Sequence, residues 1–314
     1  MATRDPLDGK LVVLLGGSGF FGTHIAQHLL ARGARLRIAS RHPERAYKLK
    51  PLANLGQIQL TRCDVTRPAS IAAAMAGADA AVYLVGAFKG DLEALQADGA
   101  GLAAKAAADA GAQGFVYISA IGADAASEVA YARTKAEGEQ AVKAAFPRAT
   151  VLRPSVLFGE DDHFLNLFAG LIGTFPVLPV FGPDAALQPL WVDDAAEAVA
   201  NALADPGRHG GKTYEIAGPE KLTMGGLNRM IAAAQQRHPV FLAMPDFASA
   251  LFALLPLTPM DYGQWKLLKA GSVPSGAHPG LKELGVSPKP VELFLERWMV
   301  RFRKHGRFAP RAEA

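Results

Sequence analysis

With 314 residues, half of them apolar and 20% charged, the chain can bury a large core and is expected to form one large or two unequal domains. Its 32 glycines and 21 prolines follow no period, which excludes collagen-like and low-complexity architectures, and its single cysteine, Cys63, excludes an internal disulfide or a thiolate metal cluster. The net charge of +4 and isoelectric point near 9.1 favour anionic ligands, but no helix-turn-helix, zinc-finger or aromatic RNA-binding motif accompanies the charge, so no nucleic-acid partner is expected.

The opening MATRDPLDGK has no apolar core of the kind a signal peptide carries, and one cysteine suits a reducing compartment, so a cytoplasmic protein is expected. Six short runs then read as strands: LVVLL (11–15), LRIAS (36–40), IQLTR (58–62), AAVYLV (80–85), GFVYIS (114–119) and TVLRP (150–154). Between them lie helical patterns such as THIAQHLLARG, PASIAAAMAGA and GLAAKAAADAG, whose closing glycines suit helix ends. Strand and helix in alternation predict an α/β fold, a Rossmann-type doubly wound parallel sheet. After residue 155 the alternation breaks down and prolines cluster, which predicts a second, smaller, mostly C-terminal domain. The expected division is 1–158 and 159–314, with 186–217 returning to the sheet.

Two later segments stand out. FASALFALLPL (247–257) is too short to cross a bilayer and reads as a buried helix of the small domain, with a membrane-surface or partner-binding helix as the alternative. ERWMVRFRKHGRFAPR (296–311) interleaves basic and aromatic residues. It reads as an amphipathic last helix with a solvated basic face, or as a docking surface for an acidic partner or phospholipid headgroups. The chain is not expected to be transmembrane.

Directly after the first strand comes GGSGFFG, with Gly16, Gly19 and Gly22 spaced G-x-x-G-x-x-G ahead of a helix. Glycines there let the backbone turn tightly and approach a pyrophosphate held at the helix N-terminus, which predicts a dinucleotide site in the first domain. Ser18, Phe20 and Phe21 would place their backbone beside the ligand. The second strand ends in Ser40-Arg41, where an NAD binder usually carries an acid. A guanidinium suits a 2′-phosphate, so NADP(H) is expected in preference to NAD(H). Asp64 and Val65 after the third strand are placed for the adenine edge, although Asp64 could equally cap the next turn. Leu84, Val85 and Gly86 should lie beside the middle of the cofactor, and Pro154 at the end of the sixth strand is a further expected contact.

Tyr131 and Lys135 in YARTK are i and i+4 on a helical pattern, which puts phenol and ammonium on one face. A nearby ammonium and a cationic nicotinamide would favour the ionised phenol. Tyr131 could then act as general acid or base, Lys135 could hold the ribose, and Ser119 could bond the same substrate oxygen. Tyr262 and Lys266 share the spacing but sit in a region that reads as irregular, without a comparable strand before them. His24 and His28 have metal-like spacing yet no third ligand, so no metal site is expected. Asp161-Asp162 and Asp193-Asp194 read as helix caps and first-turn charges.

GGSGFFG, YISAIGADA with YARTKAEGE, LRPSVLFGEDD, QPLWVDDAAEAV and YEIAGPEKLT together resemble an extended or atypical short-chain dehydrogenase/reductase. SAIGADA, YARTKAEGE, LRPSVLFG, PLTPMDYGQWKLLKAGSV and VELFLERWMVRFRKHGRF are similar to a narrower group, the bacterial relatives of the NADPH-binding accessory subunit of respiratory complex I. The resemblance covers nearly the whole chain. It implies bound NADPH, a largely structural role near the quinone-reducing region, and a peripheral position on the cytoplasmic face of an inner membrane. In the wider superfamily the residues matching Ser119, Tyr131 and Lys135 are catalytic. That leaves an NADP(H)-dependent oxidoreductase, epimerase or dehydratase of unknown substrate as the alternative.

Overall fold

The computed structural model describes residues 4–254, 261–304 and 306. Seven strands make its one large sheet: β1 (Leu11–Leu15), β2 (Arg35–Ser40), β3 (Ile58–Arg62), β4 (Ala80–Tyr83), β5 (Gly114–Ile118), β6 (Thr150–Pro154) and β7 (Thr213–Ile216). They lie in the order β3-β2-β1-β4-β5-β6-β7, and every neighbouring pair is parallel. A parallel sheet is covered on both faces, so its central strands need apolar residues at successive positions rather than alternate ones. Val12–Leu15 and Ala81–Tyr83 meet that need, each residue wholly buried. The order reverses between β1 and β4, and the crevice that opens at their carboxyl ends is where ligands bind in such sheets.

Five helices accompany the sheet: α1 (Phe20–Ala31), α2 (Pro68–Met75), α3 (Gly99–Asp109), α4 (Ala130–Ala145) and α5 (Val192–Ala204). α1 packs on α5, while α3 packs on α2 and α4. On α3 the buried residues are Ala100, Ala103, Ala104 and Ala107, a helical stripe of methyl groups that brings its backbone close to the sheet. Ahead of α3, Glu93–Asp98 is wound as a π-helix. Its carbonyls of Leu95 and Gln96 accept hydrogen bonds from the buried hydroxyls of Tyr83 (2.5 Å) and Tyr117 (3.0 Å).

By contact the chain separates into two compact units. The first runs to Pro154 and adds Val192–Ile216 and Pro274–Ser287; the second holds Ser155–Trp191, Ala217–Val273 and the chain from Pro288. Relative to expectation, the first division moves from 158 to 154, the return begins at Val192, and Pro274–Ser287 is an additional return. That last segment joins the first unit because the Glu215 N–H donates to Pro279 (2.9 Å) and the Glu215 carboxylate accepts from Ser275.

The second unit has its own core, in which Phe158, Leu165, Leu227, Ile231, Phe294 and Trp298 are buried and Trp191 stacks on Phe294 at 3.8 Å. Its strands Val177–Val180 and Val240–Ala243 pair in parallel. Leu178 and Val180 are buried, but Val177, Val240 and Leu242 are about half exposed. The buried-helix reading of residues 247–257 needs correction. Asp246–Leu254 is helical, yet Phe247, Leu251 and Leu254 are 76%, 62% and 65% exposed, one face at i, i+4, i+7; residues 255–257 lie outside the described residues. Tyr262 and Lys266 also differ from expectation. They lie on a regular helix, Tyr262–Ala270, opened by an Asp261–Gln264 capping box. In the C-terminal segment, Arg301 donates to Asn166 and the Glu160 carbonyl, and Arg303 to the Ala234 carbonyl, so part of the basic face is committed internally. Arg307, Phe308 and Arg311 lie outside the described residues.

α4 crosses the π-helical turn at Gly138, where an added Cβ would lie 2.2 Å from the Gln96 carbonyl oxygen and 2.3 Å from the Tyr117 hydroxyl. Gly138→Ala is expected to destabilise the first unit by about 1–3 kcal/mol. Gly170→Ala, mid-helix with nothing within 4 Å of the new methyl, should instead stabilise by roughly 0.5–1 kcal/mol. Denaturant titration of both variants checks the contrast in sign.

Candidate functional site

The loop between β1 and α1 is held by three different uses of glycine. Gly16 has φ +84°, a left-handed conformation that side chains disfavour. A Cβ on Gly22 would lie 2.5 Å from the Gly17 Cα, so the first turn of α1 rests directly on the loop backbone. Gly17 itself leaves no room for a side chain, with Leu14 Cβ 2.6 Å from the Cβ position. Gly17 falls outside the G-x-x-G-x-x-G spacing, and only the contact with Leu14 reveals its requirement. Gly19 is open: a Cβ there meets only the Gly16 carbonyl, at 3.6 Å. It also serves as the N-cap of α1, with extended backbone, no side-chain cap and no acidic residue in the first turn. The N–H groups and positive dipole end of α1 are therefore presented to a ligand, and the donor set fits a pyrophosphate.

Gly16, Ser18, Gly19, Phe20, Phe21, Gly22, Ser40, Arg41, Val65, Leu84, Val85 and Gly86 line one cleft of about 400 Å³. Ser18 and Ser40 join its two sides through a hydroxyl pair at 3.0 Å. Ala39, His42, Arg45, Cys63 and Leu95 complete the lining and were not marked from the sequence. For Arg45 the signal was available, since it follows Arg41 by four residues, at the start of the 3-10 stretch Pro43–Leu52. Asp64, Tyr131, Lys135 and Pro154 are not part of this lining. The Asp64 carboxylate accepts from the Thr66 N–H (3.0 Å) and hydroxyl (2.8 Å), bonds that hold its pKa below the usual range, so it closes the turn before α2. The Pro154 carbonyl accepts from the Ile121 N–H at 3.1 Å.

Lys135 is buried, and its ammonium donates to the carbonyls of Ile118 (2.8 Å) and Val85 (3.3 Å) at the ends of β5 and β4. Its Nζ lies 3.5 Å from where a Gly86 Cβ would stand, which sets it beside the cleft. Burial pulls its pKa down to about 7, against the opposing field of Glu139. Tyr131, one turn earlier, stacks on Phe88 at 4.5 Å, and burial pushes its phenol up to about 12. Of the two charges expected to favour the ionised phenol, the ammonium and a cationic nicotinamide, the ammonium alone does not do so here. The ammonium is turned onto two backbone carbonyls, and desolvation dominates at the phenol. Ser119 differs too. Its hydroxyl donates to Glu139 at 2.5 Å instead of toward the cleft.

His24 and His28 do not form a bare helix face. His24 meets the Asp193 carboxylate at 2.7 Å and His28 approaches it at 3.6 Å, which depresses the Asp193 pKa and ties α1 to α5. Among the described residues no group of three or more His, Cys, Asp or Glu could hold a metal ion. No helix among them is long and apolar enough to cross a membrane.

Residues 16–167 match the family described as NAD(P)H-binding. Over 301 residues the chain is 29% identical to NADH dehydrogenase [ubiquinone] 1 alpha subcomplex subunit 9, mitochondrial, of Mus musculus, covering 92% of this chain and 80% of that one. The chain carries an NAD(P)H-binding domain and is a homologue of that complex I subunit. A ceramide reductase of Caulobacter vibrioides is 31% identical over 191 residues, 59% of this chain and 58% of that protein. The fold matches triphenylmethane reductase of a Citrobacter species with a TM-score of 0.74 at 19% identity, over 92% of this chain and 99% of that one.

Gly22→Ala forces the α1 backbone off the loop and should weaken NAD(P)H binding at least about tenfold, because the helix start no longer faces the pyrophosphate. Quenching of intrinsic fluorescence on NADPH titration measures it.

Proposed function

We propose that the protein is an NADP(H)-holding accessory or assembly subunit that docks peripherally on respiratory complex I, at the cytoplasmic face of an inner membrane. The observation that carries this reading is the homology to the complex I subunit across 92% of the chain, well beyond the cofactor-binding segment. The exposed apolar face of Asp246–Leu254 supplies a surface for such docking.

In this reading the start of α1 holds the pyrophosphate, and Arg41 with Arg45 and His42 receives the 2′-phosphate. Lys135 has three donors and uses two on backbone carbonyls, leaving one for a ribose hydroxyl. When bound, the cofactor supplies a hydride. What the chain itself offers beside it is the Tyr131 phenol, which stays protonated at neutral pH and can donate to an oxygen that gains negative charge. A phenol so placed suits the second reading, an NADP(H)-dependent oxidoreductase, epimerase or dehydratase.

Affinity purification from native membranes, with mass spectrometry and cofactor extraction, separates the readings. Co-purification with complex I and retained NADPH supports the accessory role; absence from those fractions with freely exchanging cofactor overturns it. If Tyr131→Phe leaves complex assembly intact but abolishes a reductase activity, the enzyme reading prevails. Arg41→Gln should weaken NADPH by roughly 10- to 100-fold, the worth of one charge-assisted contact, and leave NADH unchanged. Equal losses for both cofactors would contradict 2′-phosphate recognition.

A further inference from the structure

A run of buried charges lies behind the Tyr131–Lys135 pair. Glu139, next on the same face of α4 and 4% exposed, accepts from Ser119 on Oε1. It is also gripped by Arg153 of β6, Nε to Oε1 at 2.7 Å and Nη2 to Oε2 at 2.8 Å. Arg153 Nη1 is 3.6 Å from Glu215 of β7, whose other oxygen accepts from the Ser275 N–H (2.6 Å) and hydroxyl (2.8 Å). Two anions therefore face Arg153, and one of them, Glu139, also acts on Lys135.

We propose that Glu139 is a positioning residue for the cofactor side of the cleft: it keeps Lys135 cationic for its ribose contact and turns the Ser119 proton away from any substrate oxygen. The inference rests on the assignment of Lys135 to the nicotinamide ribose.

Two consequences follow from the hydrogen bonds. With its proton on Glu139, Ser119 can only accept, so a substrate oxygen has Tyr131 as its proton donor. A buried ammonium without a nearby anion sheds its proton. The groups facing Lys135 are Tyr131 and Glu139 on α4, Tyr117 with its ring 5.4 Å away and Ser119 after β5, Tyr83 of β4 behind Tyr117, and Arg153 and Glu215 beyond Glu139. Glu139 is the acidic residue among them that follows Lys135 by one helical turn on the buried face of α4. Lys135 titrates near neutrality in the free protein. A ribose hydroxyl accepting from the ammonium favours the protonated form, so NADPH binding should take up a proton, and affinity should fall as pH rises through about 7.

The test is NADPH affinity between pH 5.5 and 9 for the wild-type protein, Glu139→Gln, Glu139→Asp and Lys135→Met. Wild type should lose affinity toward tenfold per pH unit above 7. Glu139→Gln should move that fall to lower pH by about one unit, giving about fivefold weaker binding than wild type at pH 7 that recovers by about pH 5.5. Glu139→Asp, which retains the charge, should restore the wild-type profile. A merely structural role predicts a loss equal at every pH, and that result overturns the proposal. Glu139→Gln could fail to fold because it strands the Arg153 charge. In that case a Glu139→Asp profile shifted as far as expected for charge loss would overturn it equally. Lys135→Met should flatten the pH dependence. If it leaves affinity and profile unchanged, the assignment of Lys135 to the cofactor has failed, independently of Glu139.

Discussion

The contact of Gly22 with Gly17 is the constraint on which the site depends. A helix that starts against its own preceding loop needs a missing Cβ where it touches, at Gly22, and with Gly19 at its N-cap no side chain caps its first N–H groups. Those unsatisfied donors, at the reversal of strand order between β1 and β4, create the anion site. The rest of the cleft is built outward from there. Ser18 reaches Ser40, β2 delivers Arg41, and the ends of β3 and β4 supply Val65 and Leu84–Gly86.

On the other side of the cleft the governing term is desolvation. Lys135 and Tyr131 are both pushed toward neutrality, the lysine to about 7 and the phenol to about 12. The backbone carbonyls of Ile118 and Val85 orient the ammonium, and the field of Glu139 opposes its loss of charge. Arg153, whose own pKa is raised first by its hydrogen bond to Glu139, keeps that carboxylate from being a stranded charge. Cofactor holding and proton donation can therefore share one set of side chains. Retention of Tyr131 is compatible with a mainly structural protein as well as with a reductase.

The second unit puts its apolar residues to two uses. Leu178 and Val180 enter its core, while Val177, Val240, Leu242 and the outer face of Asp246–Leu254 remain exposed. Large apolar side chains at helical spacing on a surface mark an interaction site more often than a packing fault.

Local pattern was enough to determine the parallel α/β sheet, the glycine loop and most of the cleft lining, because strand burial, turn geometry and helix starts are set by residues close in sequence. Arg41 was legible for the same reason, and Arg45 could have been. Tertiary structure alone decided what distant residues do to one another. Ser119 is diverted by Glu139, and Asp193 is clamped by His24 and His28 from another helix. The exposure of Phe247, Leu251 and Leu254 was equally beyond reach, since an apolar helical face reads alike whether it is buried or bare. Spacing put Tyr131 and Lys135 on one face, but their protonation depends on burial and on the charges behind them, and those come from β4, β5, β6 and β7 meeting in the sheet.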